Sequence, residues 1–161
     1  MEVRKKLRLW EYDYSQNGAY FVTVCSKNRA NIFSHISVGA GHPAGPYVQL
    51  SYIGEIVDKY IKSLPNSYPD MYIDACVVMP NHIHLLVRID KPQGPAGCPA
   101  PTATLSKAIS ALKSLSSREA GISLWQRSFY DHIIRDEQDY LTRWNYIDTN
   151  PARWAEDEYY I

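Results

Sequence analysis

The stretch MYIDACVVMPNHIHLLVRID, residues 71–90, constrains the fold more than any other part of the chain. Two β-branched and apolar runs, 71–79 and 82–90, flank the turn signal Pro80-Asn81. They read as neighbouring strands of a tight hairpin, although Pro-Asn is not among the favoured two-residue turns. Side chains alternate faces along a strand. His82 and His84 therefore point the same way, with Cα atoms roughly 6.5–7 Å apart. Ile83 and Leu85 point to the opposite face, into a core. Two imidazoles so placed can converge on one ion. They can equally form a hydrogen-bonded pair at a strand end.

The remaining elements follow from periodicity. AYFVTVCS (19–26) reads as a strand, and GAGHPAGPY (39–47) as a loop. Ile53, Ile56, Val57, Tyr60, Ile61 and Leu64 have helical spacing, with a stop expected at Pro65. A proline-rich segment, 92–102, reads as a flexible loop. A helix is expected from Thr104 to Ala120, ended by Gly121. A strand follows around Phe129 to Ile134, and a last helix over 136–150, stopped by Pro151. The order β-α-β-β-α-β is the ferredoxin-like arrangement of an α+β fold: an antiparallel sheet with helices on one face and, here, an added C-terminal helix.

A chain of 161 residues with 45% apolar content suits one domain spanning 1–161. No apolar run reaches the roughly 18–20 residues of a membrane span. The basic N-terminus lacks the apolar core of a secretory signal. Cys25, Cys76 and Cys98 are odd in number and lack metal-site spacing, which suits free thiols in a reducing cytoplasm. Charges balance at 17 basic and 17 acidic residues, so the chain as a whole is not a basic nucleic-acid binder. Basic residues do cluster locally: Arg4, Lys5, Lys6 and Arg8 in an arm over 1–10, then Lys107, Lys113, Arg118, Arg127 and Arg135. Such clusters suit a phosphate-binding face.

On the last helix, Tyr140, Leu141, Trp144 and Ile147 share one side and are expected to pack on the body. Asp139, Arg143, Tyr146 and Asn150 fall on a flanking stripe, with Tyr146 and Asn150 neighbours at i and i+4. Facing the histidines, that stripe would set a phenol, an amide oxygen and a guanidinium beside two ring nitrogens. The mixed donors suit Mn²⁺ and other first-row ions, and Mg²⁺ less comfortably. A bound metal can polarise a phosphoryl oxygen, and a phenol so assisted can attack phosphorus. Thirteen tyrosines make the choice of Tyr146 depend on that meeting. Asn150 has a plainer explanation as a helix end before proline.

VVMPNHIHLLV resembles the histidine–hydrophobic–histidine (HUH) signature of single-tyrosine transposases. LWQRSFYDHIIRDEQDYLTRWNYIDTNPARW is similar to the C-terminal block of the same family, and YDYSQNGAYFVTVCSKNR to its first strand. The resemblance is greatest to the REP-associated tyrosine transposases and their insertion-sequence relatives, and runs from about Leu9 to Trp154. It implies metal-dependent cleavage and rejoining of single-stranded DNA beside a hairpin, through a 5′-phosphotyrosine and a free 3′-hydroxyl. His82 and His84 match the metal pair, and Tyr146 in NYIDTNP matches the nucleophile. Asn150 stands where the family places a third polar ligand, which some relatives supply as glutamine. The implied metal is Mg²⁺ or Mn²⁺. The implied setting is prokaryotic, cytoplasmic and nucleoid-associated, with the chain acting as a homodimer or a monomer.

His132 and Arg143 are auxiliary candidates; His132 orients a phosphate or metal-bound water, or holds the sheet to the last helix. Arg4, Lys5, Lys6, Arg8, Lys107, Lys113 and Arg127 are candidates for contact with DNA. Two other classes remain open. A cupin-like oxygenase also uses H-x-H, but expects a glutamate where this chain has Arg88 and Asp90, and an all-β barrel. A non-catalytic or domesticated nucleic-acid-binding module on the same sheet is the other.

Overall fold

The computed structural model describes residues 18–37, 47–90 and 105–161. The strands are β1 (Gly18–Cys25), β2 (Ser34–Ser37), β3 (Tyr47–Leu50), β4 (Met71–Val78), β5 (His82–Ile89) and β6 (Tyr130–Ile133). The helices are α1 (Tyr52–Ser67), α2 (Leu105–Ala120) and α3 (Glu137–Thr149). Short 3₁₀ turns occupy Lys27–Arg29 and Pro151–Glu156. Four strands form an antiparallel sheet in the order β4-β5-β1-β6. This is the ferredoxin-like α+β arrangement expected from the element order.

Alternation along the strands gives the sheet two unlike faces. Tyr20, Val22 and Val24 of β1 and Ile83, Leu85, Val87 and Ile89 of β5 face α1 and α2. There they meet Val57, Ile61 and Leu64 of α1 and Leu105, Ala108, Ile109 and Leu112 of α2, helical positions three and four apart. The opposite face carries Phe21, Thr23, Cys25, His82, His84 and Leu86. Register aligns Thr23 with His84 and Cys25 with His82. The helix α3 crosses this second face, where Ile147 packs with Phe21 and Leu86.

Local chemistry sets the boundaries. Ser51 caps α1: its Oγ accepts the Gly54 N–H at 3.0 Å and donates to the Ile32 carbonyl at 2.6 Å. Gly54 is required because a Cβ there would collide with the Phe33 carbonyl oxygen. The turn at Pro80-Asn81 is closed by the Met79 N–H donating to the His82 carbonyl at 2.8 Å. In β4 the register shifts between Ile73 and Ala75, so Asp74 is the extra residue of a bulge.

Three expectations are corrected. The helix α1 runs through Pro65 to Ser67. Proline there forfeits one hydrogen bond in the last turn, and the Tyr68 N–H closes the helix on Leu64 O at 2.9 Å. The loop expected over 39–47 ends earlier: Tyr47 opens β3, which pairs with β2 in a separate two-stranded sheet. Third, of the four apolar residues expected to pack on the body, Tyr140 and Ile147 do so and Leu141 and Trp144 do not. Leu141 and Trp144 are 53% and 42% exposed, whereas Ile147 and Asn150 are buried. The apolar patch under α3, formed by Phe21, Leu86, Ala75 and Val77, takes Ile147 and Tyr140 and leaves the other two apolar side chains outside. Arg4, Lys5, Lys6, Arg8, Cys98 and the loops at 39–46 and 92–102 lie outside the described residues.

Candidate metal centre and nucleophile cleft

His82 and His84 are fully buried on β5, with their Nε2 atoms 3.0 Å apart. Their outer nitrogens are held by different neighbours. Asn81 Nδ2 donates to the Tyr159 carbonyl at 2.7 Å, which turns its Oδ1 toward His82 Nδ1 at 2.8 Å. His82 therefore carries its proton on Nδ1 and presents a lone pair at Nε2, a tautomer assigned from this network. His84 Nδ1 lies 2.8 Å from Thr23 Oγ1. A hydroxyl donates or accepts equally well, so His84 can hold its proton on either nitrogen. With Nδ1–H donating to Thr23, both Nε2 lone pairs converge, in the manner of metal-ligating histidines oriented by outer partners.

Electrostatics favour the neutral imidazoles. Burial pulls the His82 pKa down to about 4, against the opposing pull of Asp157. Burial, with the neighbouring His82 and Arg143, holds His84 well below its ordinary value. Neutral imidazole is the form that binds a metal.

The chain beyond α3 supplies oxygen donors. Pro151 opens the 3₁₀ turn, which carries the chain back over the histidines. Asp157 Oδ2 lies 3.8 Å from His82 Nε2 and accepts from Asn150 Nδ2 at 2.6 Å. One ligand atom each from His82, His84 and Asp157 falls within 4.8 Å of the others. Asn150 Oδ1 is buried and has no hydrogen-bond partner. An orphaned buried carbonyl is costly unless something meets it. Two imidazole nitrogens, a carboxylate and this amide oxygen form a donor set that fits Mn²⁺, and Mg²⁺ less closely.

Tyr146 stands beside them. Its ring centroid is 5.2 Å from that of His84 and 5.8 Å from that of Phe21. It is 37% exposed and opens onto a cleft of about 470 Å³ floored by Phe21, Thr23 and Cys25. Burial, then Asp157 and Glu158, raise its pKa, so the resting phenol keeps its proton. Arg143, one turn earlier on α3, lines the same cleft, with its guanidinium 5.1 Å from the Phe21 ring centre. His132 does not enter the cleft; its Nε2 lies 2.8 Å from Asp139 Oδ2. Lys107 and Lys113 sit on α2, across the sheet from the histidines, and Arg127 is exposed.

Sequence reasoning missed Asp157, Asn81 and Thr23. Asp157 reads as one more charge of an acidic tail, and Asn81 as a turn residue. Thr23 had a usable signal: it falls on the face of β1 that a partner strand's histidines would share.

No protein-family model matches the chain. A Haemophilus influenzae protein described only as uncharacterized is 32% identical over 177 residues, covering 98% of this chain and 93% of its own length. A second protein of that organism, assigned by name to the REP-associated tyrosine transposases, is 27% identical over 154 residues, covering 88% of this chain and 74% of its own. The fold matches a solved REP-associated tyrosine transposase bound to a REP hairpin, with TM-score 0.64 and 22% identity over 94% of this chain and 76% of that one. The chain is a transposase-family relative. By sequence it is similar to a protein named for the REP-associated tyrosine transposases, and by fold to a solved structure of that name.

Proposed function

We propose that the protein cleaves and rejoins single-stranded DNA beside hairpin sequences, with Tyr146 as nucleophile and a divalent cation, Mn²⁺ or Mg²⁺, as cofactor. The observation that carries this reading is the placement of the Tyr146 ring 5.2 Å from His84, within one chain and on one cleft. His82 and His84 would hold the metal, with Asn150 Oδ1 and Asp157 as the oxygen donors. When bound, the metal withdraws charge from a phosphoryl oxygen and makes phosphorus more electrophilic.

The chain's own groups do the rest. Asn81 and Thr23 fix the imidazole orientations. The helix α3 presents the phenol at the open side of the cleft, so its proton leaves to solvent as Tyr146 Oη bonds to phosphorus. The bond from phosphorus to the 3′ oxygen breaks and that oxygen takes up a proton from solvent, giving a 5′-phosphotyrosine and a free 3′-hydroxyl. Attack by another 3′-hydroxyl reverses these bonds and rejoins the strand, conserving the ester without ATP. Because nucleophile and imidazoles belong to one chain, a monomer suffices for cleavage.

Incubating a labelled single-stranded REP hairpin with protein and Mn²⁺ is expected to give a covalent protein–DNA adduct. The adduct disappears in Tyr146→Phe and when a chelator removes the metal. An adduct that persists in Tyr146→Phe overturns the nucleophile assignment. Tight hairpin binding with no adduct in the wild type favours a binding module.

A further inference from the structure

The cleft that exposes Tyr146 is lined by two guanidinium groups, Arg143 and Arg29, and by one carboxylate, Glu158. Neither arginine is placed casually. Arg143 Nε is buried and makes no hydrogen bond, and the nearest Asp139 oxygen, Oδ1, is 3.5 Å away. The other oxygen of Asp139 is occupied by His132 Nε2 at 2.8 Å and by the Arg135 N–H at 3.2 Å. Asp139 is thus fixed from behind, and its Oδ1 forms an ion pair with Arg143 at 3.5 Å that orients the side chain without hydrogen-bonding Nε. The guanidinium rests over Phe21, one helical turn from Tyr146.

Arg29 reaches the cleft from the other end, on strained backbone. Asn28 and Arg29 both have positive φ, at 58° and 54°. Such conformations in non-glycine residues cost on the order of 1–3 kcal/mol each and persist where the surroundings enforce them, often at ligand clamps. Here the Arg29 N–H donates to Ser26 O at 3.1 Å, Lys27 N–H to Leu124 O at 2.8 Å, and Ser26 Oγ to Ala30 O at 2.8 Å. The result sets the Arg29 guanidinium 5.7 Å from the Tyr159 ring centre. Phe21 and Cys25, the ends of the cleft floor, are about 13 Å apart along β1. Arg143 stands over the first, and Arg29 follows just beyond the second.

We infer that Arg143 and Arg29 form a two-point clamp for the sugar–phosphate backbone of a single strand, Arg143 on the phosphate beside Tyr146 and Arg29 on the backbone beyond it. This rests on reading the cleft as a single-strand DNA site. A guanidinium presents paired donors that match phosphate oxygens, and stacking on Phe21 and Tyr159 pre-orients both forks. The contacts are to backbone and carry no base specificity.

The test is the salt dependence of binding to a labelled oligothymidylate, which has neither hairpin nor cleavage site. Each lost phosphate contact lowers the magnitude of the log–log slope by about 0.7 for a single strand. Arg143→Gln and Arg29→Gln are each expected to show that drop, and the double variant twice as much. Lys59→Gln, on the opposite side of the sheet, leaves the slope unchanged. Should Arg143→Gln unfold, Arg143→Lys keeps the slope while weakening binding through loss of the fork. Slopes equal to wild type in both glutamine variants, with melting temperatures unaltered, overturn the clamp. So does a wild-type protein that fails to bind oligothymidylate at low salt. Because this readout needs no cleavage, slope changes without any Tyr146 adduct leave the clamp standing and remove only the nucleophile assignment.

Discussion

The two faces of β5 were built for different work. Toward α1 and α2, Ile83, Leu85, Val87 and Ile89 are at most 1% exposed and close against both helices. Toward α3, the same strand carries the buried His82 and His84, of which His84 lines the cleft, then Leu86, packed against Phe21 and Ile147, and Arg88. Cohesion belongs to the first face and ligand chemistry to the second. A residue's parity along the strand decides which it serves.

That division can be broken or sharpened by substitution. Leu85→Ala should lose about 2–5 kcal/mol of stability in urea unfolding, because it empties a fully buried position. Mn²⁺ should still stabilise this variant; loss of the metal response would show that the faces are not independent. His84→Ala should abolish the metal response. At a hundredfold excess over Kd, Mn²⁺ should raise wild-type stability by about 2.7 kcal/mol, and calorimetry should find that increment absent in His84→Ala. Tyr140→Phe removes the 2.8 Å hydrogen bond to Asp74 that ties α3 to the sheet. Its expected cost is about 1 kcal/mol, read by thermal melting, with the Mn²⁺ increment kept. Leu141→Ser should change stability by less than about 0.5 kcal/mol, since the side chain is 53% exposed. A loss above 2 kcal/mol, roughly what burial of a leucine is worth, would restore the packing orientation that the apolar residues of α3 suggest.

The closed face was the more legible in the sequence. Tyr20, Val22 and Val24, and Ile83 to Ile89 at alternate positions, have the period of two that burial on one side imposes. Ile56, Val57, Ile61 and Leu64 have the helical period. The same alternation put His82 and His84 together on the other face. What the sequence left hidden is what no period encodes. Asp157 reaches His82 because a 3₁₀ turn after Pro151 folds the chain back, and Asn81 acts through the direction of one amide. The helix α3 was half legible: Ile147 and Tyr140 meet the apolar patch as their spacing implies, while the hydrogen bonds of Tyr140 to Asp74 and Asn150 to Asp157 fix a rotation that leaves Leu141 and Trp144 outside.

Arg88 pairs with the bulge residue Asp74 at 3.2 Å and lies 4.2 Å from the Tyr72 ring centre. This places an offset and a charge cluster on the outermost strand, β4. A regular border strand offers its unused amide ladder to any other extended chain. Here the ladder is interrupted midway and flanked by ions, which makes this border a poor template for a second extended chain.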